Sequence, residues 1–302
     1  MKSIRVNRGA LVFLLALSIV GPLAAQSPRP ATSARHSLWK VDGDHCAVYL
    51  LGSIHVLKKE DYPLPVVFET AYTNSAAVVF ETDIDEMEQM ATQIKLLSKA
   101  RLPEGETLSH DLSPAVYARF TNHLNEAGLP LVMFDMFKPA MAAMTLEVLE
   151  MQKLGLDPQF GLDKYFFALA RKDAKKVIPL ETVDFQISLV TDFTKEEGDM
   201  LMKSSLEDID TVTKDLQDLL KAWQSGDADN LEKLLNGASR EAPAIYKRLV
   251  TDRNARWVPR IEEWLRSGGN TNTIVIVGAG HLVGKDGVVE LLRKQGFKVT
   301  QQ

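Results

Sequence analysis

Four polar residues follow directly on apolar, strand-like runs: His55, Glu81, Glu181 and His281. Two imidazoles can hold a divalent ion, and a carboxylate can complete the shell or act as general base toward a water. The two histidines share a spelling. Leu50-Leu51-Gly52-Ser53-Ile54-His55 and Ile276-Val277-Gly278-Ala279-Gly280-His281 each run from a buried strand through glycine to histidine. Of six histidines, these two have glycine three residues earlier. With 18 glycines in 302 residues, that is a coincidence of about one in seventeen per histidine. Glycine there lets the backbone bend or pack closely. The expectation is that His55 and His281 meet in one site. Each residue also has a plainer reading: the histidines as core groups bonded to carbonyls, Glu81 as a salt-bridged strand end, and Glu181 as a helix N-terminal carboxylate.

Two further residues belong to this question. Arg253, in Asp252-Arg253-Asn254, can hold a carboxylate or an oxyanion, or simply pair along a helix surface. Asp163, in Gly161-Leu162-Asp163, reads most simply as a helix N-cap. Other chemistries lack their residues. The single cysteine, Cys46, rules out an internal disulfide and a thiolate cluster, so a metal site must use histidine and carboxylate. There is no His-Glu-x-x-His helix and no Gly-x-Ser-x-Gly elbow. The run from Gly278 to Gly284 imitates a dinucleotide loop, but too few residues come after it for the βαβ unit such a loop requires. A net charge of −5 without a basic stripe gives no support for nucleic-acid binding.

The elements that position these residues are readable in order. Leu38–Val41 and Ala47–Leu51 predict a hairpin about Asp42-Gly43-Asp44, followed by a short helix over Pro65–Asn74. Ala76–Phe80 is a buried strand ending at Glu81, and Asp85–Lys99 is an amphipathic helix. Ser113-Pro114 opens a helix that Gly128 stops. Lys138–Leu154 is a methionine-rich helix, and with Met133 and Met136 its methionines read as core; a haem- or copper-facing surface is the lesser reading. Asp163–Lys172 is helical. Lys176–Leu180 is a strand whose Pro179 places it at an edge. Residues 185–266 carry helix patterns and no strand signal, which predicts a helical subdomain or lid. Thr273–Val277 is the last buried strand, followed by a helix to Gln295 and an edge strand at Phe297–Val299. Ligand sites in open α/β sheets lie at the carboxyl ends of strands, where all four polar residues fall.

The N-terminus reads as a targeting segment. Lys2, Arg5 and Arg8 precede an apolar run from Ala10 to Val20, with a small-residue cleavage site at Leu23-Ala24-Ala25. Residues 1–25 are therefore expected to be a signal peptide, 26–36 a linker, and 37–302 one α/β domain. The expected location is periplasmic or secreted, with no stable membrane span after cleavage.

Several ordered blocks together resemble the TraB/PrgY/GumN family. They are Leu38-Trp39-Lys40-Val41, Tyr49 to His55, Phe80-Glu81-Thr82-Asp83, Gly161-Leu162-Asp163, Leu180-Glu181-Thr182, Asp252-Arg253-Asn254, and Val277 to Gly284 with Gly287 and Gly296-Phe297. The resemblance implies an α/β fold, a central mixed sheet flanked by helices, of the erythromycin-esterase-like (EreA) and ChaN-like kind. It also implies kinship with Tiki, a membrane-associated metal-dependent protease. It assigns His55, His281 and Glu81 to the metal, with Glu81, Arg253 and Glu181 as catalytic candidates. The function it implies is a metal-dependent hydrolase, peptidase-like, acting on a peptide or small molecule with Mn, Co or Zn. The alternative is a non-catalytic protein that holds a peptide or haem in the same cleft.

Overall fold

The computed structural model describes residues 35–209, 212–237, 242–267 and 269–302. The expected signal peptide, and the linker up to residue 34, lie outside the described residues. Six strands form one mixed sheet in the order β4-β3-β5-β2-β1-β6. They are β1 Leu38–Asp42, β2 Ala47–Ser53, β3 Ser75–Phe80, β4 Lys176–Pro179, β5 Asn272–Gly278 and β6 Lys298–Gln301.

The first two strands make the expected hairpin, Leu38 opposite Leu51 and Asp42 opposite Ala47. The Gly43 N–H closes the turn onto the Cys46 carbonyl at 2.9 Å. β1 runs antiparallel to both its neighbours, whereas β4, β3, β5 and β2 are mutually parallel. Helices cover both faces of parallel strands, so these strands read as unbroken apolar runs. Thr273 to Gly278 is buried throughout. Pro179 lies on the edge strand β4, where its missing N–H costs no ladder bond.

Helices fill the connections. α1 Val66–Thr73 joins β2 to β3. Between β3 and β4 lie α2 Ile84–Glu88, α3 Met90–Ala100, α4 Leu108–Asp111, α5 Pro114–Ala127, α6 Pro139–Lys153 and α7 Leu162–Lys172. Between β4 and β5 lie α8 Val183–Thr191, α9 Lys195–Ile209, α10 Val212–Ser225, α11 Ala228–Asn236, α12 Pro243–Tyr246 and α13 Asp252–Ser267, and α14 Val288–Lys294 precedes β6. The single helix expected over Asp85–Lys99 is two, because Gln89 adopts an extended conformation that caps one and starts the other. Gly128 stops α5 in the left-handed region, as its position predicts.

The helical stretch 185–266 divides in its packing. Leu219 and Trp223 of α10, Leu231 of α11, and Trp257, Ile261 and Leu265 of α13 join the sheet core with Phe68, Phe166 and Leu292. Met202 and Leu206 of α9 instead pack with Phe120, Phe134, Ala143 and Leu146. The methionines divide too: Met141, Met144 and Met151 are buried, while Met133 and Met136 are exposed.

Candidate functional site

The four parallel strands end at the same edge of the sheet, and each delivers one candidate residue. β2 leads to His55, β3 to Glu81, β4 to Glu181 and β5 to His281. The two stretches that share a spelling are neighbours, with Gly52 opposite Val277 and Ser53 opposite Gly278. Gly52 has a contact reason for being glycine: a Cβ there would sit 3.2 Å from the Cα and Cβ of Ala279. The Gly52 carbonyl accepts from Trp223 Nε1 at 2.7 Å, which ties α10 to the strand.

Arg253, at the start of α13, is the hub. It is fully buried, and all five of its N–H groups have protein acceptors. Nε–H donates to Glu181 at 3.0 Å, Nη1 to the Leu249 carbonyl at 3.1 Å and to His281 Nε2 at 3.0 Å. Nη2 donates to Glu81 and, at 2.9 Å, to Glu181. The Leu249 carbonyl belongs to a π turn, Lys247–Thr251, directly before α13. Such turns recur at functional sites. Trp257 lies one helical turn on. Its ring stacks under the guanidinium at 4.8 Å, packs on the His281 ring at 4.5 Å, and its Nε1 donates to Glu181 at 3.0 Å.

His281 is fully engaged. Its Nδ1–H donates to Asn254 Oδ1 at 2.7 Å and its Nε2 accepts from Arg253. Asn254 also donates to the His281 and Asp286 carbonyls. Burial, and next the Arg253 charge, push the imidazole down to about 3, so it is neutral. Glu81 Oε1 accepts the Gly278 N–H at 2.8 Å. Burial opposes its charge, but Arg253 beside it outweighs burial and holds the carboxyl down to about 2.

His55 differs. Its Nδ1 faces Asp163 Oδ2 at 2.6 Å, while its Nε2 is buried and has no hydrogen-bond partner. Burial disfavours the imidazolium, yet the charge and hydrogen bond of Asp163, with Glu81, raise it to about 9. The hydroxyl of Thr82, next to Glu81, is likewise buried and unpartnered.

Asp163 is therefore not the helix N-cap. Gly161 holds that position, and Asp163 lies two residues into α7 with its carboxylate on His55 and Ser53. The chain needs glycine at 161, since a Cβ there would lie 2.3 Å from the His55 carbonyl oxygen. Gly161→Ala is expected to displace the His55 loop and lower stability by about 1–3 kcal/mol, the usual cost of overpacking. Urea denaturation measures this, and a loss under about 0.5 kcal/mol would mean the loop yields freely.

Whether these residues suit a divalent ion depends on Arg253. Two imidazoles and a carboxylate are the right donor types, and His55 Nε2 is an open nitrogen. In the geometry present, however, His281 Nε2 and Glu81 both face the guanidinium. Among the described residues, no three His, Cys, Asp or Glu side chains are placed to hold one ion. As the residues stand, the fit holds for His55 alone, while His281 Nε2 and Glu81 are committed to Arg253. A cavity of about 220 Å³ between the starts of α6 and α9 and the end of α8 shares no lining residue with this cluster.

Comparison with known proteins agrees with the blocks read from the sequence. The model described as the TraB/PrgY/gumN family matches residues 37–301. The chain is 26% identical over 245 residues to YbaP of Escherichia coli K12, covering 81% of this chain and 87% of that one. It is 22% identical over 335 residues to Metalloprotease TIKI1 of Danio rerio, covering 92% of this chain and 65% of the relative. It is 24% identical over 344 residues to a Metalloprotease TIKI homolog of Amphimedon queenslandica, at 96% and 66% coverage. No solved structure matches the chain.

Proposed function

The chain belongs to the TraB/PrgY/gumN family, and on that premise we propose that it is an exported, metal-dependent hydrolase of the peptidase type. The observation that carries this reading is His55 Nε2, a buried nitrogen with no protein partner beside an anionic Glu81. The relatives named as metalloproteases support it. His55, Glu81 and His281 would hold the ion, Mn, Co or Zn, and such an ion supplies an acidified water and a polarised carbonyl.

The chain's own residues divide the remaining work. Glu81, kept ionised, serves as ligand or as proton acceptor from the attacking water. Arg253 neutralises Glu81 and Glu181 and fixes their positions; with every N–H engaged, it acts on substrate only after releasing one of them. Glu181 holds Arg253, Trp257 and Gln186 Nε2, the last at 2.6 Å. His55 must lose its Nε2 proton when it takes up an ion, which couples affinity to pH. The substrate class is a peptide or a small molecule carrying a scissile carbonyl. Among the described residues, no helix is long and apolar enough to cross a membrane, and the periplasmic or secreted assignment rests on residues 1–25.

Metal content tests the reading. Wild-type protein dialysed against Mn(II), Co(II) or Zn(II) should retain about one ion per chain, His55→Ala less than a tenth of that, and His281→Ala an intermediate amount. Equal content in all three would defeat it. A Soret band on haem titration, lost in His55→Ala, together with no turnover under any of the three metals, would favour the binding-protein alternative.

A further inference from the structure

We propose that Asp163 is the positioning residue of the site. It locks the His55 imidazole with its proton on Nδ1, so that Nε2 is the atom offered to a ligand. This rests on the reading of His55 as a ligand-binding group and adds the residue that makes it one.

Three contacts fasten the start of α7 to the end of the His55 segment. The Leu162 N–H donates to the Ile54 carbonyl at 3.1 Å, Gly161 packs its bare Cα against the His55 carbonyl, and Asp163 Oδ2 accepts from His55 Nδ1 at 2.6 Å. The same oxygen accepts the Ser53 hydroxyl, so two donors from one strand end fix the carboxylate. Asp163 also lies in the first turn of an eleven-residue helix, where the helix dipole favours its charge.

The contrast with His281 separates this role from a structural ion pair. His281, as it stands, has both nitrogens satisfied, through Asn254 and Arg253. His55 has one nitrogen committed to a carboxylate and the other left bare while buried. Imidazoles that bind ligands are built this way: the carboxylate selects the tautomer, fixes the ring and raises the basicity of the far nitrogen. Nothing else in the described structure orients the ring through a hydrogen bond.

The test compares wild type, Asp163→Asn and Asp163→Ala by two readouts. The first is nitrogen-15 NMR of the His55 ring in metal-free protein at pH 10, where the imidazole is neutral. Wild type and Asp163→Asn, which keeps an acceptor oxygen, should show the proton on Nδ1. Asp163→Ala should revert to the Nε2–H form that free histidine side chains prefer. The second is Zn(II) affinity by calorimetry at pH 7, corrected for the protons released on binding, since His55 gives up its Nε2 proton to the ion. Asp163→Ala should lose about 10–100-fold, and Asp163→Asn less than tenfold. An unchanged His55 tautomer in folded Asp163→Ala overturns the proposal. If Asp163→Ala does not fold, Asp163→Asn decides: a His55 proton on Nε2 in that variant overturns it, and one on Nδ1 sustains it. If wild type binds no Zn(II), Mn(II) or Co(II), the metal reading fails, and the NMR arm still decides the role of Asp163.

Discussion

Arg253→Met is expected to destabilise the protein by about 3–5 kcal/mol, the cost of stripping a buried ion cluster of one sign of charge. The size comes from the groups left behind. The Glu81 and Glu181 side chains are only 10% and 5% exposed and both are bonded to the guanidinium, and methionine fills the volume without countering either carboxylate. The position of the Glu81 carboxyl gives a consistency check. It is held near 2 against an ordinary 4.5, and at 1.36 kcal/mol per unit that is about 3 kcal/mol. The sign is that of a depressed carboxylate: this stabilisation is present above pH 4.5 and disappears as the pH falls toward 2. The variant should therefore lose stability most at neutral pH and least in acid. Adding Glu81→Gln and Glu181→Gln to Arg253→Met should recover more than half of the loss. Urea denaturation of wild type, Arg253→Met and the triple variant at pH 3 and pH 7 reads all of this. A loss below 1 kcal/mol at pH 7, or no recovery in the triple variant, would show that the cluster is solvated in practice. The same variant addresses the competition between arginine and metal. With Arg253 gone, His281 Nε2 and Glu81 are open, so Zn(II) should raise the melting temperature of Arg253→Met more than that of wild type.

How much of this can be read from sequence depends on which contacts are local. The carboxyl-end placement of His55, Glu81, Glu181 and His281 is legible because buried parallel strands are apolar runs, and a residue just past such a run lies at the sheet edge by geometry alone. That Gly52 and Ala279 touch is also within reach, since two equivalent turns on paired strands meet at equal register. Arg253 is harder. Its helix is charged on the sequence pattern, and nothing local says that Arg253, rather than Arg256 or Arg260, is the one fully buried against carboxylates more than seventy positions away. Asp163 reads wrongly as an N-cap because a carboxylate at a helix start is among the commonest of caps. The competing fact, that Gly161 must be the cap to clear the His55 carbonyl, exists only in three dimensions. Gln89 breaks a helix that its amphipathic pattern runs straight through, where chain geometry outweighs propensity. Glu147 is the opposite case, a residue missing from the sequence reading although its signal is present. It continues the buried stripe of Ala140, Met144 and Met151, a spacing that places a carboxyl among apolar groups.

That carboxyl carries the second large effect. Glu147 lies on α6 against α9, where its Oε1 accepts the Ser205 hydroxyl, and it is 8% exposed. Burial pushes its pKa up to about 8; the Ser205 bond opposes this, and the charge of Asp208 adds to it. The folded protein therefore holds a proton that the unfolded chain releases near 4.5. Between those two values the folded state binds more protons, so this group makes stability fall as the pH rises, and the fall levels off above about pH 8. A rise of 3.5 units, from 4.5 to 8, corresponds to about 4–5 kcal/mol at 1.36 kcal/mol per unit. Glu147→Gln keeps the shape and the Ser205 hydrogen bond and removes the titration. It should match wild type near pH 4.5 and exceed it by several kcal/mol at pH 8.5. His55 also loses stabilisation as the pH rises through 9, so wild type alone cannot assign the slope. The difference between wild type and Glu147→Gln can, because His55 is the same in both. Parallel pH–stability curves for the two proteins from pH 4.5 to 8.5 would mean that the carboxyl ionises without cost, and that α6 and α9 admit water between them.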